Sequence, residues 1–261
     1  MQTQLPNRSP PRLATLAATR IPNGAMPRTA AEAACAPFFA KTAPAGPLDA
    51  EPRAAMIDAV VDIVSVDNGR SLTPRSRRST NLHLLVEGWA LHCVTVANGG
   101  RQITSILLPG DLCAWHAEDD EVKACGKARI AVLRRDGLSQ PQLRGAMEWM
   151  HRVDALTLRD RLVSVGRRDA RGRIAHLFIE LYHRLQALGL AGDGVFTCPL
   201  TQEQLADALG LTPVHINRML RALRCEGVIA MERRDIVIRD AAGLAAAAGL
   251  DHRTFDARFG G

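Results

Sequence analysis

The residues best equipped for chemistry are arginines and small polar groups within Pro199–Asp240, PLTQEQLADALGLTPVHINRMLRALRCEGVIAMERRDIVIRD. Arg218, Arg221 and Arg224 recur every three residues, and Arg233 and Arg234 stand together between two β-branched runs. Guanidinium forks of this kind suit phosphate oxygens and base edges. Six arginines in Thr201–Asp240 (218, 221, 224, 233, 234, 239) face six acids (203, 207, 226, 232, 235, 240), so any case for an acidic partner rests on placement. A second set, His83, His92, Cys93, Cys113, His116 and Cys125, has the ligand types of a metal, haem or thiol sensor. Neighbours on a strand point to opposite faces, so His92 and Cys93 are poorly placed to share an ion. The six cysteines (35, 93, 113, 125, 198, 225) never form C-x-x-C. Structural roles are expected for them, with no metal and no cofactor. No nucleophile–base spacing or phosphate loop appears, and Asp119-Asp120-Glu121 reads as a solvated acidic loop, so no enzyme is expected.

The elements that must position the arginines are marked by their ends. Thr201 caps a short helix over Gln202–Leu209, and Gln204 occupies the capping-box position three residues on. Gly210 supplies a tight turn. Thr212 caps a second helix that starts on Pro213, where a missing N–H costs nothing, and runs to about Cys225. Ala206 is small where two helices must cross, and Leu205, Leu209, Leu211, Ile216 and Met219 fill the space between them. These are the packing demands of a helix-turn-helix whose second helix enters the DNA major groove. Val228–Met231 and Ile236–Ile238 then form a wing with Arg233 and Arg234 at its tip. A protein-interaction module with the same fold is the competing reading.

The rest of the chain frames this motif. Of 261 residues, 47% are hydrophobic and 23% charged, an ordinary globular mixture. The net charge of +6 permits a nucleic-acid partner without establishing one. Only Lys41, Lys123 and Lys127 are lysines among 33 basic residues. No run approaches the roughly 20 apolar residues that span a bilayer, and no export signal is apparent, so a cytoplasmic protein without a membrane partner is expected. Nine of the 14 prolines fall before Arg53, so residues 1–55 are expected to be a disordered or low-complexity extension, with a helical turn near Thr29–Ala36.

From residue 56 to 138, short β runs (Val60–Val66, Leu82–Glu87, Ala90–Val96, Arg101–Leu107, Ala128–Leu133) alternate with Gly and Asn turns, the pattern of a small antiparallel roll. Residues 139–170 hold a helix from about Pro141 to Val165 whose apolar seam suggests a partner helix, most simply a second copy; a core helix laid across the β domain is the alternative. A second helix, Arg171–Leu188, opens the helix-turn-helix domain (171–250), and 251–261 is a tail. The fold class is therefore α+β: an N-terminal antiparallel β-roll, a long dimerisation helix and a C-terminal winged helix-turn-helix.

The stretches LLVEGWA (84–90), GRQITSILLPGDL (100–112), LRDRLVSVGRRDARGRIAHLFIEL (158–181) and LTQEQLADALGLTPVHINRMLRALRCEGVI (200–229) resemble the Crp/Fnr superfamily of bacterial transcription regulators. The resemblance implies a homodimer on a palindromic double-stranded DNA site, with RNA polymerase as a further partner. It puts Pro213, Val214, His215, Asn217 and Arg218 at the groove-facing start of the recognition helix. Arg218 matches a base-reading arginine, and Val214 stands where many members carry a base-reading Glu. Thr201, Gln202 and Thr212 would position the DNA backbone, with Arg221 beside them and Arg233 and Arg234 on the wing. In the sensor half, Pro109-Gly110-Asp111-Leu112 resembles the opening of the family's cyclic-nucleotide cassette. Ala114-Trp115 replaces its Gly-Glu, and no Arg-Ser/Thr-Ala follows, so cyclic AMP is not the expected effector. Cys35 alone does not match the cysteine cluster of the iron–sulfur members.

Overall fold

The computed structural model describes residues 26–72, 81–113 and 120–250. Among the described residues two helices come first, α1 (Arg28–Thr42) and α2 (Ala50–Asp58), where an extension was expected. Their prolines sit where helices tolerate them. Pro27 is the N-cap of α1, Pro44 and Pro47 lie in the connection, and Pro52 falls in the first turn of α2; only Pro37 is interior. Ala31, Ala34, Cys35, Phe38 and Thr42, which fall on one side of a 3.6-residue repeat, form the buried face of α1. The first four pack with Met56 and Ile57 against Val60, Leu84, Val86, Ala131 and Leu133 of the sheet. The expected extension over 1–55 is thus corrected from Arg28 onward, because these helices complete the core of the β domain. Residues 1–25 and 251–261 lie outside the described residues.

The sheet contains β1 (Val60–Val66), β2 (Leu82–Thr95), β3 (Arg101–Leu107), β4 (Leu112–Cys113) and β5 (Asp120–Leu133), all pairing antiparallel in the order β1-β5-β2-β3, with β4 on β2. Two runs read separately from sequence form the single strand β2. Gly88 joins them at a register shift, with φ of 82°, and a Cβ there would collide with the Lys127 carbonyl oxygen. The acidic loop expected at 119–121 is also corrected. Asp120 and Glu121 begin β5, where Asp120 faces His92 at 3.4 Å and Glu121 pairs with Lys123 at 2.8 Å. Asp119 lies outside the described residues.

Then come α3 (Pro141–Arg167) and α4 (Ala170–Gln186). The core-helix alternative holds for the first half of α3, and the second half is exposed. Leu143, Ala146 and Met150 join the core beside α1, while Leu156, Leu158, Leu162, Val163 and Val165 are exposed. Among the described residues no helix is long and apolar enough to cross a membrane. Beyond α4 the chain forms β6 (Ala191–Gly192), β7 (Val195–Thr197), α5 (Gln202–Leu209), α6 (Pro213–Cys225), β8 (Ile229–Glu232), β9 (Asp235–Ile238) and α7 (Ala241–Ala247).

One helix, α4, belongs to both halves. Ile174, Leu177, Phe178, Leu181 and Leu185 share a core with Trp89, Leu91, Ile103 and Ile106 of the sheet and with Leu205, Leu209, Ile216 and Leu220 of the C-terminal part. Its polar seat is a chain of charges. Arg161 of α3 and Arg184 both bond Glu180, at 2.9 and 3.0 Å, and Arg184 reaches Asp111 at 3.2 Å. Lys41 of α1 pairs with Asp111 from the other side. Burial pushes the Glu180 carboxyl up, but the Arg161 and Arg184 guanidiniums outweigh it and hold the group at about 2, below its ordinary 4.5. A lowered carboxylate stabilises the fold fully above 4.5 and loses that effect as pH falls through about 2. Glu180→Gln is expected to cost about 3–5 kcal/mol at neutral pH, because it strands buried guanidinium groups. In urea denaturation followed by circular dichroism, its gap from the parent should narrow as pH falls from 4.5 towards 2.

Candidate nucleic-acid interface

Local signals set the two helices at this interface. Thr201 accepts a bond from the Gln204 N–H at 3.1 Å, and its own N–H donates to Gln204 Oε1 at 2.9 Å, completing the capping box. Gly210 ends α5 with φ of 62°, and the Leu211 N–H returns to the Ala206 carbonyl at 3.1 Å. Thr212 caps α6 by accepting from the His215 N–H at 3.3 Å, with Pro213 following as the first helical residue. Ile216, Leu220 and Leu223 turn inward against Leu205 and Leu209. Met219, expected with them, is only partly buried.

That inward face leaves the other free. Thr201, Gln202, Thr212, Pro213, Val214, His215, Asn217, Arg218, Arg221, Arg233 and Arg234 are all exposed, Val214 by 77%. Asn217 Nδ2 donates to Gln202 Oε1 at 3.3 Å, which ties the start of α5 to α6. The wing is a two-residue turn between β8 and β9, with Glu232 opposite Asp235 and Arg233 at φ of 57°.

The charge balance changes once partners are counted. Asp207 is bonded by Arg101 of β3, with Nε at 2.7 Å, and Glu226 pairs with Arg171 of α4. Asp240 accepts the Gly243 N–H at 2.9 Å as the cap of α7. Arg218, Arg221, Arg224, Arg233, Arg234 and Arg239 are exposed and form no ion pair among the described residues. Arginines from outside the motif therefore neutralise two of its six acids, and its own arginines stay available to an anion. Arg101 and Arg171 were missed from sequence because they act across 106 and 55 residues, beyond any local pattern.

The histidines and cysteines of the sensor half do not gather into one cluster among the described residues, although His83 and Cys113 are register partners on β2 and β4. Cys93 and Cys125 lie in the core shared with α4, and Cys113 lies in a separate cluster with Val122 and Ile130. His116 lies outside the described residues. Burial raises the Cys93, Cys113 and Cys125 thiols, and pushes Cys35 and Cys198 up to about 12, which keeps them protonated and unreactive. Cys225, at the end of α6, is exposed. A cavity of about 340 Å³ opens between β3 and α3, lined by Thr104, Ser105, Met150, Asp154, Arg161 and Arg184 among others. Asp111, read from sequence only as part of a turn, accepts the Leu108 N–H at 2.8 Å and binds Arg184 beside this cavity. Positions 114 and 115 of the sequence-expected cassette lie outside the described residues.

The Crp-like helix-turn-helix domain profile matches residues 172–247. The transcriptional activator protein FnrL of Cereibacter sphaeroides is 31% identical over 179 residues, covering 64% of this chain and 72% of the relative. The nitrogen fixation regulation protein FixK of Azorhizobium caulinodans is 25% identical over 173 residues, covering 63% and 70%. The structure of FixK2 from Bradyrhizobium japonicum superposes with a TM-score of 0.64 at 22% identity, covering 72% of this chain and 97% of that one. The chain belongs to the Crp/Fnr family. It is a DNA-binding transcription regulator, not an enzyme.

Arg233 holds a left-handed backbone conformation that costs a non-glycine residue roughly 1–2 kcal/mol. Arg233→Gly should therefore raise the thermal midpoint slightly while weakening DNA binding and lowering the salt slope by about one phosphate contact. Parallel melting curves and salt titrations check both.

Proposed function

We propose that the protein binds a palindromic duplex as a homodimer, with α6 of each copy in one of two major grooves about one helical turn apart. The observation that carries the reading is the pairing of two unsatisfied surfaces. One is the arginine-bearing face of α6 and the wing, with no carboxylate partner for its guanidiniums among the described residues. The other is the far half of α3, where Leu158, Leu162 and Val165 lie at i, i+4 and i+7, with Leu162 exposed by 73%. Such a stripe matches the seam of a two-helix coiled coil.

Within this reading Arg218 reads a guanine edge through its fork, and Pro213, Val214, His215 and Asn217 line the groove beside it. Thr201, Gln202, Thr212 and Arg221 hold the backbone, and Arg233 and Arg234 reach phosphates from the wing. Val214 offers an apolar contact, suited to a thymine methyl, where a glutamate would accept from cytosine. The domain division is β-domain with its two N-terminal helices, dimerisation helix, and winged head from about residue 171. The cavity between β3 and α3 is the place for a small effector. RNA polymerase is the further partner and the cytoplasm the compartment.

Two measurements test this. Arg218→Ala should cost about 1–3 kcal/mol on a duplex selected by the protein from random-sequence DNA, and should relax one base position in each half-site; unchanged affinity and specificity would sink the assignment. Leu162→Glu should convert the dimer to a monomer in sedimentation equilibrium and abolish the gain of a full site over a half-site. A dimer that survives this change, with Leu158 also replaced by Glu, refutes the α3 interface.

A further inference from the structure

Strand β3 touches every part that a dimeric reader must align. At its start Arg101 bonds Asp207 of α5, Nε to Oδ2 at 2.7 Å, and Gln102 Nε2 approaches the Ala208 carbonyl at 3.4 Å. Beside it, Cys125 of β5 faces Gln204 Oε1 at 3.6 Å. Further along, the Thr104 carbonyl accepts from Arg161 of α3 at 3.1 Å, and the Ile106 carbonyl from Arg184 of α4 at 2.8 Å. One seven-residue strand thus links the first helix of the DNA-reading head to the helix that carries the exposed apolar face.

The contact leaves the reading surface open. With α5 held on β3, all eleven candidate DNA residues remain exposed. Asp207 lies on α5 and is half-buried with Arg101, their side chains 21% and 35% exposed. Held this way, the head has its orientation fixed without being covered.

We infer that Arg101 and Asp207 are positioning residues for DNA recognition: their pair sets the orientation of each head relative to α3, and so the half-site spacing the dimer accepts. The inference rests on the dimeric reading above. A half-site needs one head in any orientation, whereas a full site needs both heads aligned at once. A half-exposed ion pair shifts one head's docking equilibrium only a few-fold, and a full site feels that shift twice.

The test uses the full chain, the palindromic duplex it selects from random-sequence DNA, the isolated half-site, and duplexes with one base pair added or removed between half-sites. Arg101→Gln and Asp207→Asn should shift half-site affinity only slightly and in opposite directions, through the charge each unmasks, yet both should weaken full-site binding by about two- to twentyfold. Each should also shrink the penalty for altered spacing, and the two together should do no more than either alone. The exchanged pair, Arg101→Asp with Asp207→Arg, should recover part of the loss, a result that local damage to α5 would not give. Equal losses on half- and full sites, additive effects, or unchanged spacing discrimination would each overturn the inference while leaving the dimer intact. If the parent protein gains nothing from a full site, the dimeric reading fails and this inference with it.

Discussion

The position of the DNA-reading head depends on where α4 lies, and the seat of α4 depends on burying Glu180 and Asp111 with arginines between them. Arg184 meets both carboxylates and the Ile106 carbonyl, so one side chain of α4 reaches the turn after β3 and its own preceding turn. Arg161 brings α3 to the same carboxylate, and Lys41 brings α1 to Asp111. A buried ionic set contributes less net stability than its contacts suggest, because each ion first loses its water. What it supplies is intolerance of misplacement. The apolar side chains of α4 could slide along the sheet at small cost, but these charges cannot shift without losing a partner in a medium where an unpaired charge is expensive. Four elements are thereby held in one register before the head makes any contact of its own.

Legibility from sequence follows the distance over which each signal acts. The helix-turn-helix was legible because its determinants lie within three or four residues: Thr201 with Gln204, Thr212 with His215, and Gly210 in the left-handed turn. The wing was legible because its two strands flank a two-residue turn. The N-terminal helices were not, because nine prolines suggest a broken chain, whereas four of the five among the described residues stand at helix ends or between helices. The partner that holds α1, Asp111 on Lys41, is 70 residues away. Strand β2 appeared as two runs because a glycine marks a turn more often than a bulge, and only the close Lys127 carbonyl distinguishes them.

Helix α3 shows why a pattern alone could not choose between core helix and dimer helix. Its apolar residues form a broad face along all 27 residues, but the wall behind that face does not extend as far. The first half meets α1, α2 and the end of the sheet, and Leu143, Ala146 and Met150 are buried there. The second half passes beyond that wall, and its leucines and valines meet water. The sequence encodes an apolar face, and the length of the neighbouring elements decides which part is core.

The same reasoning resolves the neutral charge of the head. Counted along the chain, six arginines cancel six acids and nothing favours an anion. In the fold the two sets have different neighbours. Asp207 and Glu226 face the rest of the molecule, where Arg101 and Arg171 neutralise them, and Asp240 satisfies a helix end. The arginines of α6 and the wing face solvent. An approaching phosphate meets the local field, since charges beyond about 10 Å are screened at ordinary salt. Arg101 and Arg171 neutralise two of the six acids in that field, which leaves its six arginines in excess. The overall charge of +6 therefore bears on DNA binding through Arg101 and Arg171, two residues that need never touch the nucleic acid.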